Sequence, residues 1–180
     1  LGIKLDRRSK NCYYRTLTKN MTYIHPTALI ESNVIIEDDV YIGPYCIIGF
    51  PPEWKQRENE GKGVLIKKGT RLTGFVTIDA GAERRTEIGE NCYIMKYSYI
   101  AHDCIVEDNI TMSAGSKLAG FCYVSKNVNL GMGVAIHQKL TIPPGVMIGM
   151  NGVVTKQSKL LPNQKYAGIP VKHIGSNERH

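Results

Sequence analysis

Apolar residues return at every sixth position along most of this chain. Counted from Ile24, blocks of six open with Ile30, Ile36, Ile42 and Ile48, and the same phase returns at Ile66, Leu72 and Ile78. A four-residue shift follows near "GAERRT". From there the sixes run unbroken through Ile88, Ile94, Ile100, Val106, Met112, Leu118, Val124, Leu130, Ile136, Ile142, Ile148 and Val154. The fifth position of each block is small or branched: Ala28, Val34, Val40 and Cys46, then Cys92, Ser98, Cys104, Ile110, Ser116, Cys122, Val128, Val134, Leu140 and Val146. A period of six fits neither the 3.6 of a helix nor the alternation of a simple hairpin sheet. It fits an all-β parallel β-helix, in which each block is one short strand and one turn.

Two stretches interrupt the pattern. "GFPPEWKQRENEGKGV" (49–64) carries Pro, Gly and charge but returns in phase, so it reads as a loop thrown out of a continuous coil. "AGAERRTE" (80–87) is a shorter excursion. The organisation expected is an N-terminal tail over 1–21, native or vector-derived, a β-helix domain over 22–156 with its loop, and a basic C-terminal tail over 157–180 with one short strand or helix.

Composition narrows the function classes. The formal charge is +7, which suits nucleic acid or a small polyanion, but no Arg/Lys cluster is interleaved with aromatics as nucleic-acid binding requires. No run of 18 apolar residues predicts a membrane span, and the first twenty residues lack a secretory apolar region. Cys12, Cys46, Cys92, Cys104 and Cys122 are scattered and odd in number. They argue against a disulfide framework and for a reducing, cytoplasmic setting. Four of them occupy the inward fifth position and read as small buried hydrophobes, so none is nominated as a nucleophile.

Candidate chemistry gathers around "IAHDC" (100–104). If three blocks, 18 residues, make one turn, His102 lies beneath Gly120 and then Gln138. One column then holds a base, an unshielded backbone N–H and an amide. His102 can take a proton from an amine or hydroxyl attacking a thioester. The Gly120 N–H can face the developing oxyanion. Asp103 can fix the imidazole tautomer, provided that it lies near a corner, because neighbours in a strand point to opposite faces. Spacing alone leaves a second reading open, that His102 is an exposed polar residue at a turn.

The sixfold pattern over 22–156 is similar to the hexapeptide repeat of left-handed β-helix proteins, and the resemblance implies a left-handed coil and a trimer. "IAHDC", "LAG" and "AIHQ", with their spacings, resemble the acyltransferases that acylate UDP-N-acetylglucosamine. That resemblance implies His102 as catalytic base, the Gly120 backbone as oxyanion hole, and His137 with Gln138 lining the substrate site. "EWK" resembles an acidic-x-Lys element holding the sugar nucleotide, which nominates Glu53 and Lys55. The family has histidines where this chain has Tyr99 and Phe121, both assigned to the substrate pocket. The family's C-terminal helical domain has no counterpart in the short segment after the coil, which points away from a long acyl chain and a carrier-protein donor. "YAGIPVK" (166–172) resembles the ending of coenzyme A-dependent sugar acetyltransferases and places Lys172 near cofactor phosphates.

The expected function is an acyltransferase moving an acetyl or other short acyl group from a thioester to a hydroxyl or amine of a sugar, which the resemblance implies is nucleotide-linked. Acetyl-CoA or another acyl thioester is the co-substrate, with no permanently bound cofactor. The alternatives are an acyl carrier protein-dependent UDP-N-acetylglucosamine O-acyltransferase and a non-catalytic trimeric scaffold. A zinc hydratase on the same coil would need three converging histidines, and the neighbours stacked on His102 are Gly120 and Gln138, so no metal is expected. A homotrimer with sites between subunits is implied by the resemblance.

Overall fold

The computed structural model describes residues 21–57 and 61–178. It is all-β, and the chain winds as a left-handed parallel β-helix of three sheets. Most strands are two residues long, because a block of six leaves only that much straight chain between turns. Face one stacks Tyr23–Ile24, Tyr41–Ile42, Arg71–Leu72, Tyr93–Ile94, Thr111–Met112, Asn129–Leu130 and Met147–Ile148. Face two stacks Leu29–Ile30, Ile47–Ile48, Thr77–Ile78, Tyr99–Ile100, Lys117–Leu118, Ala135–Ile136 and Val153–Val154. Face three stacks Val34–Ile36, Val64–Ile66, Thr86–Ile88, Ile105–Val106, Tyr123–Val124 and Thr141–Ile142.

The register follows the repeat. Ile94 pairs with Met112, Met112 with Leu130 and Leu130 with Ile148, all in parallel. The first residue of each block therefore lies over its counterpart one turn away, and its side chain points inward. Ile42, Ile48, Ile66, Leu72, Ile78, Ile88, Ile94, Ile100, Met112, Leu118 and Leu130 are fully buried. Burying each such side chain is worth about 2–3 kcal/mol, and this column is the core.

Each turn also imposes a backbone constraint. The fourth residue of block after block has positive φ: Asp39, Gly69, Asn91, Asp103, Asn109, Gly115, Asn127, Gly133, Gly145 and Asn151. Gly, Asn and Asp adopt that left-handed conformation at least cost. Tyr45, Phe75, Tyr97, Phe121 and Lys139 adopt it too. Tyr45, Phe75 and Tyr97 stack as an outward ladder with ring centroids 5.0 and 5.1 Å apart.

Cys46, Cys92, Cys104 and Cys122 are free and buried, as their fifth position requires. Burial pushes the Cys92 thiol up to about 11. Cys12 lies outside the described residues, as does the expected N-terminal tail except for Met21. The coil runs on past residue 156. Gln164–Ala167 adds another parallel strand to face one, and Lys172–Ser176 pairs antiparallel with it as an end hairpin. Among the described residues no helix is long and apolar enough to cross a membrane.

Both interruptions fall at one corner. Residues 49–63 leave between Ile48 of face two and Val64 of face three, and residues 79–85 leave between Ile78 and Thr86. The sequence 101–104 occupies the same corner one turn further on. The two excursions lean on each other, since Lys62 N–H donates to Gly81 O at 2.7 Å and Ala80 N–H to Phe50 O at 2.8 Å.

Candidate active site

His102 sits in this corner with its side chain 13% exposed. Its Nδ1 meets Asp103 Oδ2 at 2.7 Å. The φ of +61° at Asp103 turns its side chain back from the direction that an extended strand would give it. The Asp103 carboxylate is fully buried and accepts three backbone N–H bonds from the shorter excursion: Ala82 at 3.1 Å, Glu83 at 2.8 Å and Arg84 at 2.7 Å. The Arg84 guanidinium returns two bonds to the Asp103 carbonyl at 2.9 and 2.8 Å. Burial alone pushes the Asp103 carboxyl up. The bonds from Arg84, His102, Ala82 and Glu83 outweigh it and hold the carboxyl below the usual carboxylate range. An ionised carboxylate only accepts, so the proton between the pair resides on Nδ1, and in the neutral ring it is Nε2 that carries the lone pair.

Gly120, one turn on, packs directly against the imidazole. A Cβ there would stand 2.7 Å from His102 Cε1 and 2.8 Å from Nε2. The Gly120 N–H donates to no acceptor among the described residues, whereas its carbonyl accepts from Lys139 N–H at 2.9 Å. The residue packed against the imidazole therefore keeps an unengaged amide, which an oxyanion donor requires. Aromatic rings close the other sides. The Trp54 indole stacks on His102 with centroids 5.4 Å apart, and Phe121 meets the imidazole edge-on at 5.3 Å.

Asp79 opens the turn below. It is 3% exposed, and its Oδ2 accepts the Tyr99 hydroxyl at 2.5 Å. Burial first, and then the nearby Glu53 charge, raise its carboxyl to about 6 against the lowering effect of the Tyr99 bond. Burial, then the bond to Asp79, pushes the Tyr99 phenol up.

Of the residues nominated from sequence, the structure brings His102, Asp103, Gly120 and Phe121 into contact and sets Tyr99 beside them through Asp79. Glu53 lies within electrostatic reach of Asp79, and Lys55 is exposed on the same loop. His137 and Gln138 are exposed at the same corner two turns above His102, a rise of about 10 Å. His137 Nδ1 meets Gln138 O at 3.0 Å. Lys172 is exposed on the end hairpin, whose adjoining Val171 N–H donates to Val153 O three turns above. Within one chain it does not meet His102. Sequence reasoning missed Asp79, Arg84 and the role of Trp54. Trp54 lay inside the quoted "EWK" stretch, and an aromatic between two charged loop residues was the available signal.

A buried base–carboxylate pair, an open backbone amide and a protruding loop at the corner of a parallel β-helix define a class, the hexapeptide-repeat transferases. The model of the bacterial transferase hexapeptide (six repeats) family matches residues 85–120. The acyl-[acyl-carrier-protein]–UDP-N-acetylglucosamine O-acyltransferase of Thiobacillus denitrificans is 30% identical over 196 residues, spanning 87% of this chain and 75% of that protein. The protein of the same name from Campylobacter concisus is 30% identical over 136 residues, spanning 73% of this chain. The chain covers about half of that relative's length, 52%. The solved UDP-N-acetylglucosamine acyltransferase from Campylobacter jejuni superposes with a TM-score of 0.71 at 25% identity, covering 86% of this chain and 75% of that one. The chain belongs to the UDP-N-acetylglucosamine O-acyltransferase family of hexapeptide-repeat proteins.

Proposed function

We propose that this chain transfers an acyl group from a thioester to a hydroxyl of a UDP-linked amino sugar, with an acyl carrier protein as the donor, as the relatives' names state. The observation that carries the reading is the His102–Asp103 pair at 2.7 Å with Gly120 packed on the ring. His102 Nε2 takes the acceptor's proton as its oxygen attacks the thioester carbonyl. Asp103 holds Nδ1–H and stabilises the imidazolium that forms. The Gly120 N–H donates to the oxyanion of the tetrahedral intermediate. Collapse breaks the C–S bond, and the leaving thiolate takes the proton back from His102. No acyl-enzyme is needed, because holding both substrates together supplies much of the acceleration.

Glu53, Lys55, Tyr99 and Phe121 line the acceptor side of this reading. His137, Gln138 and Lys172 stand apart from His102 in one chain, which favours a homotrimer with sites between subunits. Buried free thiols favour the cytoplasm. A second reading, a coenzyme A-dependent short-chain transferase, is favoured by the rings that crowd His102 and by Lys172 exposed on the "YAGIPVK" hairpin, where a phosphate can reach it.

The test is thioester turnover with UDP-N-acetylglucosamine over acyl carrier protein and coenzyme A donors of graded chain length, with His102→Ala alongside. Turnover with the carrier-protein donors, lost in the variant, supports the first reading. Turnover only with short coenzyme A thioesters moves the assignment to the second. No turnover with any donor removes both in favour of a trimeric scaffold.

A further inference from the structure

We propose that Trp54 is a positioning residue for His102, an indole that holds the imidazole in the orientation in which Nε2 faces Gly120. The inference rests on His102 being the base.

The Nδ1 bond to Asp103 fixes one edge of the imidazole, but a single bond leaves the ring free to tilt about it. The indole, inclined by 23° to the imidazole, covers one face. Phe121 stands at 89° to His102 and at 79° to Trp54, with centroids 5.3 and 5.9 Å away, and wedges the angle between them. Gly120 blocks movement toward the next turn.

Trp54 is itself held from outside. The Arg57 guanidinium lies over the indole at 5.4 Å and reaches Glu83 at 4.0 Å. Glu83 N–H donates to Asp103 Oδ1 at 2.8 Å, and Arg57 N–H donates to Trp54 O at 2.7 Å. The contacts close a circuit through Asp103, His102, Trp54, Arg57, Glu83 and back to Asp103. The carboxylate that fixes the base also anchors the excursion on which the indole leans. A loop built only to bind substrate would have no need of that closure.

Trp54 is the single tryptophan of the chain, so tryptophan emission reports on this indole and its surroundings. An imidazolium in van der Waals contact quenches indole fluorescence. The expected result on the full-length protein is that acidification quenches emission and that His102→Gln abolishes the quench. In turnover, Trp54→Ala is expected to lower kcat about tenfold to hundredfold, the effect of a misplaced catalytic group, with acceptor KM held within about twofold. Trp54→Phe restores a flat ring and is expected to recover most of kcat. An unchanged pH response in His102→Gln overturns the stack. A raised KM with intact kcat in Trp54→Ala makes Trp54 a substrate contact and overturns the positioning role. If no donor is turned over, there is no base to position and the role falls even where the quench persists. Turnover without a quench removes the stack and leaves the reading of function standing.

Discussion

The side chains of His102 and Asp103 meet at 2.7 Å although the residues are neighbours in sequence. Neighbours in a strand point to opposite faces. The fourth position of this coil does not continue the strand, and its positive φ swings Asp103 back beneath the ring. The turn that lets a six-residue repeat close is therefore also what assembles the base and its orienting carboxylate. Three amides of an excursion from the turn below complete the site.

Replacing Asp103 separates its two duties. Asp103→Asn keeps the shape but offers an amide N–H where the site supplies only donors. Turnover is expected to fall about a hundredfold or more, through loss of the tautomer and of the charge that stabilises the imidazolium. Asp103→Ala strips the acceptor from three amides and is expected to cost about 3 kcal/mol in urea unfolding. The native carboxyl sits below its unfolded value, so this stability is present at neutral pH. It is lost as pH falls through the folded value, and the gap between wild type and Asp103→Asn should narrow in acid.

Gly120→Ala isolates the close approach to the base. Gly120 is not in the left-handed region, so alanine suits its backbone. The new methyl would stand 2.7–2.8 Å from the imidazole and must displace it. The expected outcome is a melting temperature within a few degrees of wild type with kcat reduced at least about tenfold. An active Gly120→Ala would mean that the ring has room to move and that Nε2 is not fixed by this contact.

The repeat made most of this legible. The inward isoleucines and the fifth-position cysteines follow from one period, and the stacking of Gly120 on His102 follows once the family resemblance supplies three blocks to a turn. The left-handed fourth position was harder to read. Asn, Asp and Gly mark it in most blocks, but Tyr45, Phe75, Tyr97, Phe121 and Lys139 occupy it elsewhere and blur the signal. The loop contacts were not legible, because the excursions break the register: Tyr41 pairs with Arg71, and Arg71 with Tyr93. Counting sixes therefore cannot bring Trp54 onto His102 or Asp79 onto Tyr99. Where an irregular loop folds back is decided by side-chain contacts, such as Arg57 over the indole, that carry no period.

Asp79 supplies the pH dependence opposite in sign to that of Asp103. Its carboxyl is raised to about 6 from 3.8, chiefly by burial, so the folded state binds the proton more tightly than the unfolded chain does. Between those two values the native protein holds more protons, and stability must fall as pH rises through the window. Asp79→Asn keeps the Tyr99 hydrogen bond and removes the titration. Urea midpoints measured from pH 4 to pH 7 should decline for the wild type and stay flatter for Asp79→Asn, leaving the variant relatively more stable above pH 6. Tyr99→Phe removes the bond that lowers the Asp79 carboxyl, so the wild-type decline should move to higher pH in that variant. Because the Glu53 backbone at the root of the Trp54 loop also helps to hold the Asp79 carboxyl down, Asp79→Ala should loosen that loop. Its expected mark is a shift in Trp54 emission at neutral pH that Asp79→Asn does not produce.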